Sequence, residues 1–191
     1  YCINKGFNDY RIFSNYAIIL KDNGNLKEAE MLTKKAIEIK PDSYNAYLNL
    51  GSIHIDLNKL KEAEISTLKA IELNPSFEKG YYNLGKIYRD LGRYNEAVSF
   101  SRKAVALKPD YYEAHYNLGN ILNDLGKLQE AELTFRKAIE LKPDCSDAHL
   151  SLGNILNDLG KLQEAELSTR KAIELKPDYA MAHSNLGNIL L

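Results

Sequence analysis

The sequence predicts an all-α protein, an α-solenoid of stacked antiparallel helix pairs, and two observations support this prediction. Apolar residues recur at helical spacing along most of the chain. The prolines are evenly spaced, each 34 residues after the one before it. A fixed period of this length indicates stacked helical repeats, because no single repeat can bury its apolar face alone. The prolines are Pro41, Pro75, Pro109, Pro143 and Pro177.

The period divides the chain into repeats with the same internal order. Residues 1–9 do not follow the pattern, and we expect them to be a flank or the remnant of an earlier helix. The chain begins at Tyr1 without an initiator methionine, so we expect it to be part of a longer protein. The predicted array is 10–191, with repeats at 10–43, 44–77, 78–111, 112–145 and 146–179 and a partial one at 180–191.

Each repeat is predicted to contain two amphipathic helices joined by a residue that tolerates a left-handed backbone. In the repeat 112–145 this residue is Gly126, and Asn58 occupies the same place in an earlier repeat. Pro143 is expected to end the second helix, because proline cannot continue it. Asp144 is then expected to cap the helix that follows.

Small residues recur at one position of every predicted first helix. Glycine or alanine at a helix contact lets two helix axes approach closely, whereas leucine would push them apart. This column therefore predicts tight packing between the two helices of a repeat. Its members are Ala17, Gly51, Gly85, Gly119, Gly153 and Gly187.

On these features the chain resembles the tetratricopeptide repeat (TPR) family. The resemblance is carried by the period, the closing proline and the tripeptide Asn-Leu-Gly, which recurs at 49–51, 83–85 and 117–119. It implies a right-handed superhelix whose concave groove is lined by the first helix of each pair, and a role in protein–protein interaction. The repeat arrays of O-linked N-acetylglucosamine transferases look similar, with an asparagine ladder on the concave face.

A column of asparagines is the strongest candidate for a binding surface. Carboxamides both donate and accept hydrogen bonds, so a ladder of them can pair with the main chain of an extended peptide. The alternative is a structural role for the asparagine before Leu-Gly. Tyr82 and Tyr116 precede the ladder by one residue and are predicted to border it, with packing between helices as the alternative. The asparagines predicted to contact a peptide are Asn49, Asn83, Asn117, Asn120 and Asn154.

A column of aspartates runs parallel to the asparagines. We predict that Asp90 and Asp124 contribute to the same groove, which would then favour basic or polar partner segments. The alternative is a solvated acid near the turn between two helices. A different TPR mode grips a free carboxylate with lysines, and aspartates in the matching column disfavour that mode here.

The sequence predicts no catalytic site, no cofactor and no metal site. His115, His149 and His183 share one column, but neighbouring repeats should place them about 10 Å apart, too far to bind one metal ion. A packing role is expected instead. Cys2 and Cys145 do not form a Cys-x-x-Cys pair. Such sparse cysteine usage favours a reducing, cytoplasmic location.

Charge and hydropathy narrow the class of partner. The formal net charge is −1 and no basic stripe is present, so nucleic acid is not expected. No apolar run approaches the roughly 20 residues that span a membrane. We therefore expect a scaffold that binds a protein or peptide. Two alternatives stay open, namely the recognition arm of a larger enzyme such as a glycosyl- or sulfotransferase, and a spacer that associates end to end through its uncapped last helix.

Overall fold

The computed structural model describes residues 9–190, and this part of the chain consists of α-helices joined by short turns. The predicted flank at residues 1–9 lies outside the described residues, apart from Asp9. The helices are α1 (Tyr10–Asp22), α2 (Leu26–Ile39), α3 (Tyr44–Asp56), α4 (Leu60–Leu73), α5 (Glu78–Asp90), α6 (Tyr94–Leu107), α7 (Tyr112–Asp124), α8 (Leu128–Leu141), α9 (Ser146–Asp158), α10 (Leu162–Leu175) and α11 (Ala180–Ile189).

The helices fall into two groups by their contacts, Tyr1–Gly92 and Arg93–Leu191, which we call the N-terminal half and the C-terminal half. In both halves the odd-numbered helices are the first helices of the repeats. None of the helices described between residues 9 and 190 is long and apolar enough to cross a membrane. The predicted all-α class is confirmed.

In the N-terminal half, α1 packs against α2 and α3 packs against α4, while α2 contacts α3 and α4 contacts α5. The first helices α1, α3 and α5 also contact one another in sequence. We call the surface that they form the first-helix face of this half. The core between the helices is built from Phe13, Ala17, Leu20, Ala29, Leu32, Ala36, Ala46 and Ile53.

The C-terminal half repeats this arrangement. Helix pairs α7–α8 and α9–α10 pack as hairpins, and α8 contacts α9 as α10 contacts α11. The first helices α7, α9 and α11 form the first-helix face of this half. Near its end, Leu150, Ala172 and Ala182 form a buried cluster with Ile173 and Tyr179 packed against it.

The glycine column allows the close helix contact that the sequence predicts. A Cβ atom added at Gly51 would collide with the side chain of Thr67, and one at Gly153 would collide with Thr169. At Gly119 a Cβ atom would lie 2.8 Å from the ring of Phe135. A side chain at these positions would therefore force the paired helices apart.

The turns between the two helices of a repeat adopt the predicted left-handed backbone. Gly126 has φ +70° and Asn58 has φ 57°, which confirms that asparagine substitutes for glycine there. The prediction that Asp144 caps the next helix is wrong. Helix α9 begins at Ser146, so Cys145 occupies its N-cap position, and it makes no side-chain capping bond.

Two glutamates with little exposed surface, one buried and one half-buried, connect neighbouring repeats. Glu132 on α8 exposes only 7% of its surface, yet it accepts hydrogen bonds from Arg136 and from Lys161 just before α10. Glu30 on α2 holds the same repeat position in the N-terminal half and accepts from Lys59, at 2.7 Å, just before α4. Each carboxylate therefore bridges one repeat to the next.

Candidate functional site

The predicted asparagine ladder lies on the first helices, but its inner members are engaged between helices. Asn49 on α3 donates from Nδ2 to Ser14 Oγ on α1 at 3.1 Å. Asn117 on α7 donates from Nδ2 to Ser101 Oγ on α6, also at 3.1 Å, and exposes 7% of its surface. Asn83 is equally buried, at 8%. The burial of Asn83 and Asn117 and the hydrogen bonds of Asn49 and Asn117 agree with a structural role. Peptide contact by these three asparagines stays a prediction.

A second row of asparagines lies one turn further along the same helices and is more open to solvent. Asn120 is half-buried, whereas Asn154 and Asn188 are exposed. Asn185 donates from Nδ2 to Asn154 Oδ1 at 2.6 Å. This bond occupies the amide oxygen of Asn154, while the amide hydrogens of Asn154 are directed away from it. This row presents hydrogen-bonding groups to a ligand more readily than the inner ladder does.

Asn154 and Asn188 of the second row line a polar cleft on the first-helix face of the C-terminal half. The cleft has a volume of about 330 Å³ and lies between α9 and α11, with one residue contributed by α7. We call it the carboxamide cleft. Its lining residues are Asn123, Asn154, Asn157, Asp158, Asn185, Asn188 and Ile189.

The carboxamide cleft contains residues that the sequence analysis did not select. Asn123 and Asn157 follow Asn120 and Asn154 by three residues, so they lie on the same side of their helices. They also recur 34 residues apart, next to the aspartate column. Placing every repeated asparagine on a helical projection would have identified them.

A different cleft lies on the first-helix face of the N-terminal half. It has a volume of about 440 Å³ and lies mainly between α1 and α3. Two exposed cations line it, Arg11 and Lys79. Arg11 binds Asp9 at 2.7 Å, and this hydrogen-bonded pair lowers the pKa of the Asp9 carboxyl. The remaining lining residues are Tyr10, Ser14, Asn15, Ile18, Ser43, Asn45, Leu48, Asn49 and Phe77.

The two predicted tyrosines are half-buried. The ring of Tyr116 packs against Phe135, with centroids 5.8 Å apart, and stacks on Tyr112 at 6.1 Å. The ammonium group of Lys86 lies 5.8 Å from the centre of the Tyr82 ring. Packing between helices therefore accounts for much of the Tyr116 surface, and peptide contact by either tyrosine stays a prediction.

The aspartate column lies at the C-terminal ends of the first helices. Asp90 ends α5 and Asp124 ends α7, and both are exposed. Asp56 on α3 binds Lys21 on α1 at 3.0 Å. Asp158 lies in the carboxamide cleft. A role for Asp90 and Asp124 in peptide binding stays a prediction, while Asp158 is the member that lines a described cleft.

Each histidine of the repeated column forms a hydrogen bond to the turn that precedes its helix. In each case Nε2 lies within hydrogen-bonding distance of the carbonyl oxygen of the proline six residues earlier, and Tyr81 donates to Pro75 in the same way. Among residues 9–190 no group of three or more His, Cys, Asp and Glu side chains could hold a metal ion. The histidine bonds are His115 to Pro109 (2.9 Å), His149 to Pro143 (2.9 Å) and His183 to Pro177 (2.8 Å).

Two tyrosines in the C-terminal half form hydrogen bonds beside these turns. The Tyr112 hydroxyl lies 2.5 Å from Cys145 Sγ, and burial together with this contact raises the pKa of Tyr112. The Tyr179 hydroxyl donates to Asp147 Oδ1 at 2.7 Å. Burial, followed by the bond to Asp147, raises the pKa of Tyr179 to about 12. Both hydroxyls are protonated at neutral pH, and Tyr179 is the donor in its bond to Asp147.

Comparison with known proteins agrees with this architecture. Family models described as tetratricopeptide repeat match residues 10–43, 44–77, 82–144 and 124–180. No curated protein matches the chain at a significant level.

Similar solved structures are themselves repeat proteins. YrrB, a TPR protein with an unusual peptide-binding site, is 26% identical, with a TM-score of 0.72 over 96% of this chain and 94% of that one. MamA is also 26% identical, with a TM-score of 0.75 over 86% of this chain and 96% of that one. A thermophilic TPR protein of Thermus thermophilus shares the fold at 21% identity and a TM-score of 0.76, over 95% of this chain and 98% of that one. The family models cover more than half of the sequence, and the chain belongs to the tetratricopeptide repeat family.

Proposed function

We propose that this chain is a protein–protein interaction scaffold that binds an extended peptide segment on its first-helix face. The similarity to TPR proteins supports the scaffold role, and one of them, YrrB, is described as having a peptide-binding site. Fold alone does not fix a function, so the proposal depends on the side chains of the face itself.

The carboxamide cleft is the observation that carries the proposal. Its five asparagines carry amide donors and acceptors, of which the Asn185–Asn154 bond uses one of each, while the cleft contains a single aliphatic side chain, Ile189. Extended peptide main chain presents the same alternation of N–H and C=O groups. A surface of this kind binds main chain of many sequences, because its bonds do not depend on the peptide side chains.

The geometry also divides the predicted contacts into two roles. We assign direct contact to the second row, through the exposed Asn154 and Asn188 and the half-buried Asn120. Asn49 and Asn117 shape the surface instead, because their amide groups already donate to neighbouring helices.

The proposal is tested by a binding screen of the purified chain against a peptide library, with Asn154→Ala and Asn188→Ala combined. Each lost hydrogen bond is worth about 1 kcal/mol, so we expect the double variant to lose about 2 kcal/mol of binding free energy, a fall in affinity of about thirtyfold, for many unrelated peptides. Asn95→Ala is the matched control, since Asn95 is an exposed asparagine on the second helix α6.

Circular dichroism should show the same helix content in all variants. Unchanged affinity in the double variant would contradict binding in the cleft, and an equal loss in the Asn95→Ala control would contradict its specificity. If no library peptide binds the wild-type chain, the proposed function is wrong.

A further inference from the structure

The first helices of the C-terminal half differ in charge from those of the N-terminal half. Within the described residues, the sequences of α7, α9 and α11 contain four carboxylates and no lysine or arginine. All four carboxylates are exposed. They are Glu113, Asp124, Asp147 and Asp158.

The N-terminal half is balanced at the same positions. Helices α1, α3 and α5 carry five basic residues against four acidic ones. Arg11 and Lys79 occupy the repeat position that Glu113 and Asp147 occupy in the C-terminal half. The charge of the C-terminal face is therefore specific to that half and is not a general property of the repeat.

Many cations of the C-terminal half lie on or just before its second helices, where they pair with other carboxylates, while Lys142 and Lys176 lie over the rings of Tyr112 and Tyr179. Arg136 on α8 binds Glu132 at 3.0 Å and bridges to Glu164 on α10. Asp147 accepts a bond from the neutral Tyr179 hydroxyl. Among residues 9–190, neither Glu113 nor Asp158 has an ion-pair partner.

We infer that the C-terminal first-helix face binds a basic extended peptide, one that carries lysine or arginine at alternating positions. The inference rests on the proposed function, because the carboxamides of the cleft would hold the peptide main chain. Side chains of an extended peptide point alternately to opposite sides, so every second one faces the protein. Asp158 lies among the asparagines of the cleft and is placed to receive one cation. Glu113 and Asp147 extend the negative potential along α7 and α9 and attract the others.

The test compares three labelled peptides of equal length by fluorescence anisotropy with the full chain. In these peptides serine alternates with lysine, glutamine or glutamate. We expect the lysine peptide to bind most tightly and the glutamate peptide most weakly. The preference should shrink as salt is raised, because salt screens exposed charges.

The decisive variant combines Glu113→Gln with Asp158→Asn. Affinity for the lysine peptide should fall by roughly two- to fivefold for each carboxylate removed, as expected for exposed ion pairs. Affinity for the glutamine peptide should not change. Asp22→Asn is the matched control, since Asp22 holds the repeat position of Asp158 but lies at the end of α1. This control should bind all three peptides as the wild type does.

The outcomes separate this inference from the proposed function. Equal binding of the lysine and glutamine peptides would overturn the basic preference while leaving peptide binding intact. A loss in Asp22→Asn as large as that in the double variant would also overturn it. Failure of all three peptides to bind would overturn both. Self-association of the free chain in light scattering, abolished in the double variant, would show an interface between copies and overturn the peptide assignment.

Discussion

The two halves of the chain use the same residues to pack their helices and different residues to cover their first-helix faces. Gly51 meets Thr67 in the N-terminal half as Gly153 meets Thr169 in the C-terminal half. On the surface, Arg11 in one half corresponds to Glu113 in the other. Helix contact allows few side chains at a packing position, whereas an exposed position accepts many. The repeat therefore holds the helix packing constant while the charge of the exposed positions differs between the halves.

The strongest way to break this comparison is to enlarge a packing glycine. Gly153→Leu places a side chain where a Cβ atom alone would collide with Thr169. We expect a loss of about 3 kcal/mol in the free energy of unfolding, and Gly51→Leu should cost about the same. Urea denaturation followed by circular dichroism measures both.

Gly187→Ala is the control for these variants, because a Cβ atom there meets none of the described residues within 4 Å. It should leave stability unchanged or raise it by up to about 1 kcal/mol, as alanine does in a helix. Tolerance of leucine at Gly153 but not at Gly51 would show that the two halves are not packed alike.

A smaller effect is expected at the bridging glutamates. Glu30→Gln and Glu132→Gln each remove charge-assisted hydrogen bonds between neighbouring repeats, and we expect each to cost about 2 kcal/mol. Glu140→Gln is the exposed control, since Glu140 pairs only with Lys137 on its own helix and should cost well under 1 kcal/mol. An equal cost at all three positions would contradict the bridging role.

The pH dependence of the free energy of unfolding gives a further test of the two bridging glutamates. Hydrogen bonds from Lys34 and then Lys59 lower the pKa of Glu30 from 4.5 to about 2, and bonds from Lys161 and then Arg136 lower that of Glu132. A carboxylate with a lowered pKa stabilises the fold fully above its unfolded pKa and loses that effect as pH falls through the folded pKa. The stability gap between the wild type and Glu30→Gln should therefore narrow from about pH 4.5 towards pH 2. Urea melts at a series of pH values measure it, and a gap that is constant over this range would contradict the pKa assignment.

The smallest effect concerns one buried threonine position. Thr33 donates from Oγ1 to the carbonyl of Ala29 at 2.8 Å, whereas within the described residues Oγ1 of Thr67 has no hydrogen-bond partner. Thr33→Val should cost about 1 kcal/mol, because it removes a made bond, and Thr67→Val should be neutral or slightly stabilising. Thermal unfolding of the two variants compares them, and a larger loss at Thr67 would reverse the assignment.

The fold could be predicted from the sequence because its determinants are periodic. Helical spacing, the small-residue column and the left-handed turn residues each depend on local sequence. Asn58 has a positive φ like the glycines at the equivalent turns, so even a substitution in the pattern could be predicted correctly. Asp144 shows where this reasoning fails, since the residue type favoured a cap at 144 but the helix begins at Ser146, with Cys145 at its N-cap position.

The site was less predictable because exposure depends on tertiary packing. The sequence places Asn117 and Asn120 on one helix, but it does not show that Asn117 turns inward to Ser101, a partner 16 residues earlier on another helix. The carboxamide cleft likewise requires α9 and α11 to lie side by side. Which asparagines face a ligand is therefore set by how neighbouring helices meet.

The bond between each column histidine and the proline six residues before it has a consequence for how such a chain can grow. Both partners lie within seven consecutive residues, so this hydrogen bond does not depend on distant parts of the sequence. Duplication of a whole repeat in the gene therefore copies both partners of this hydrogen bond along with the helices. Residues 118–133 recur unchanged as 152–167, as expected of a chain that lengthens by copying. The surface residues of new copies can then diverge while the histidine–proline hydrogen bond still forms in each copy.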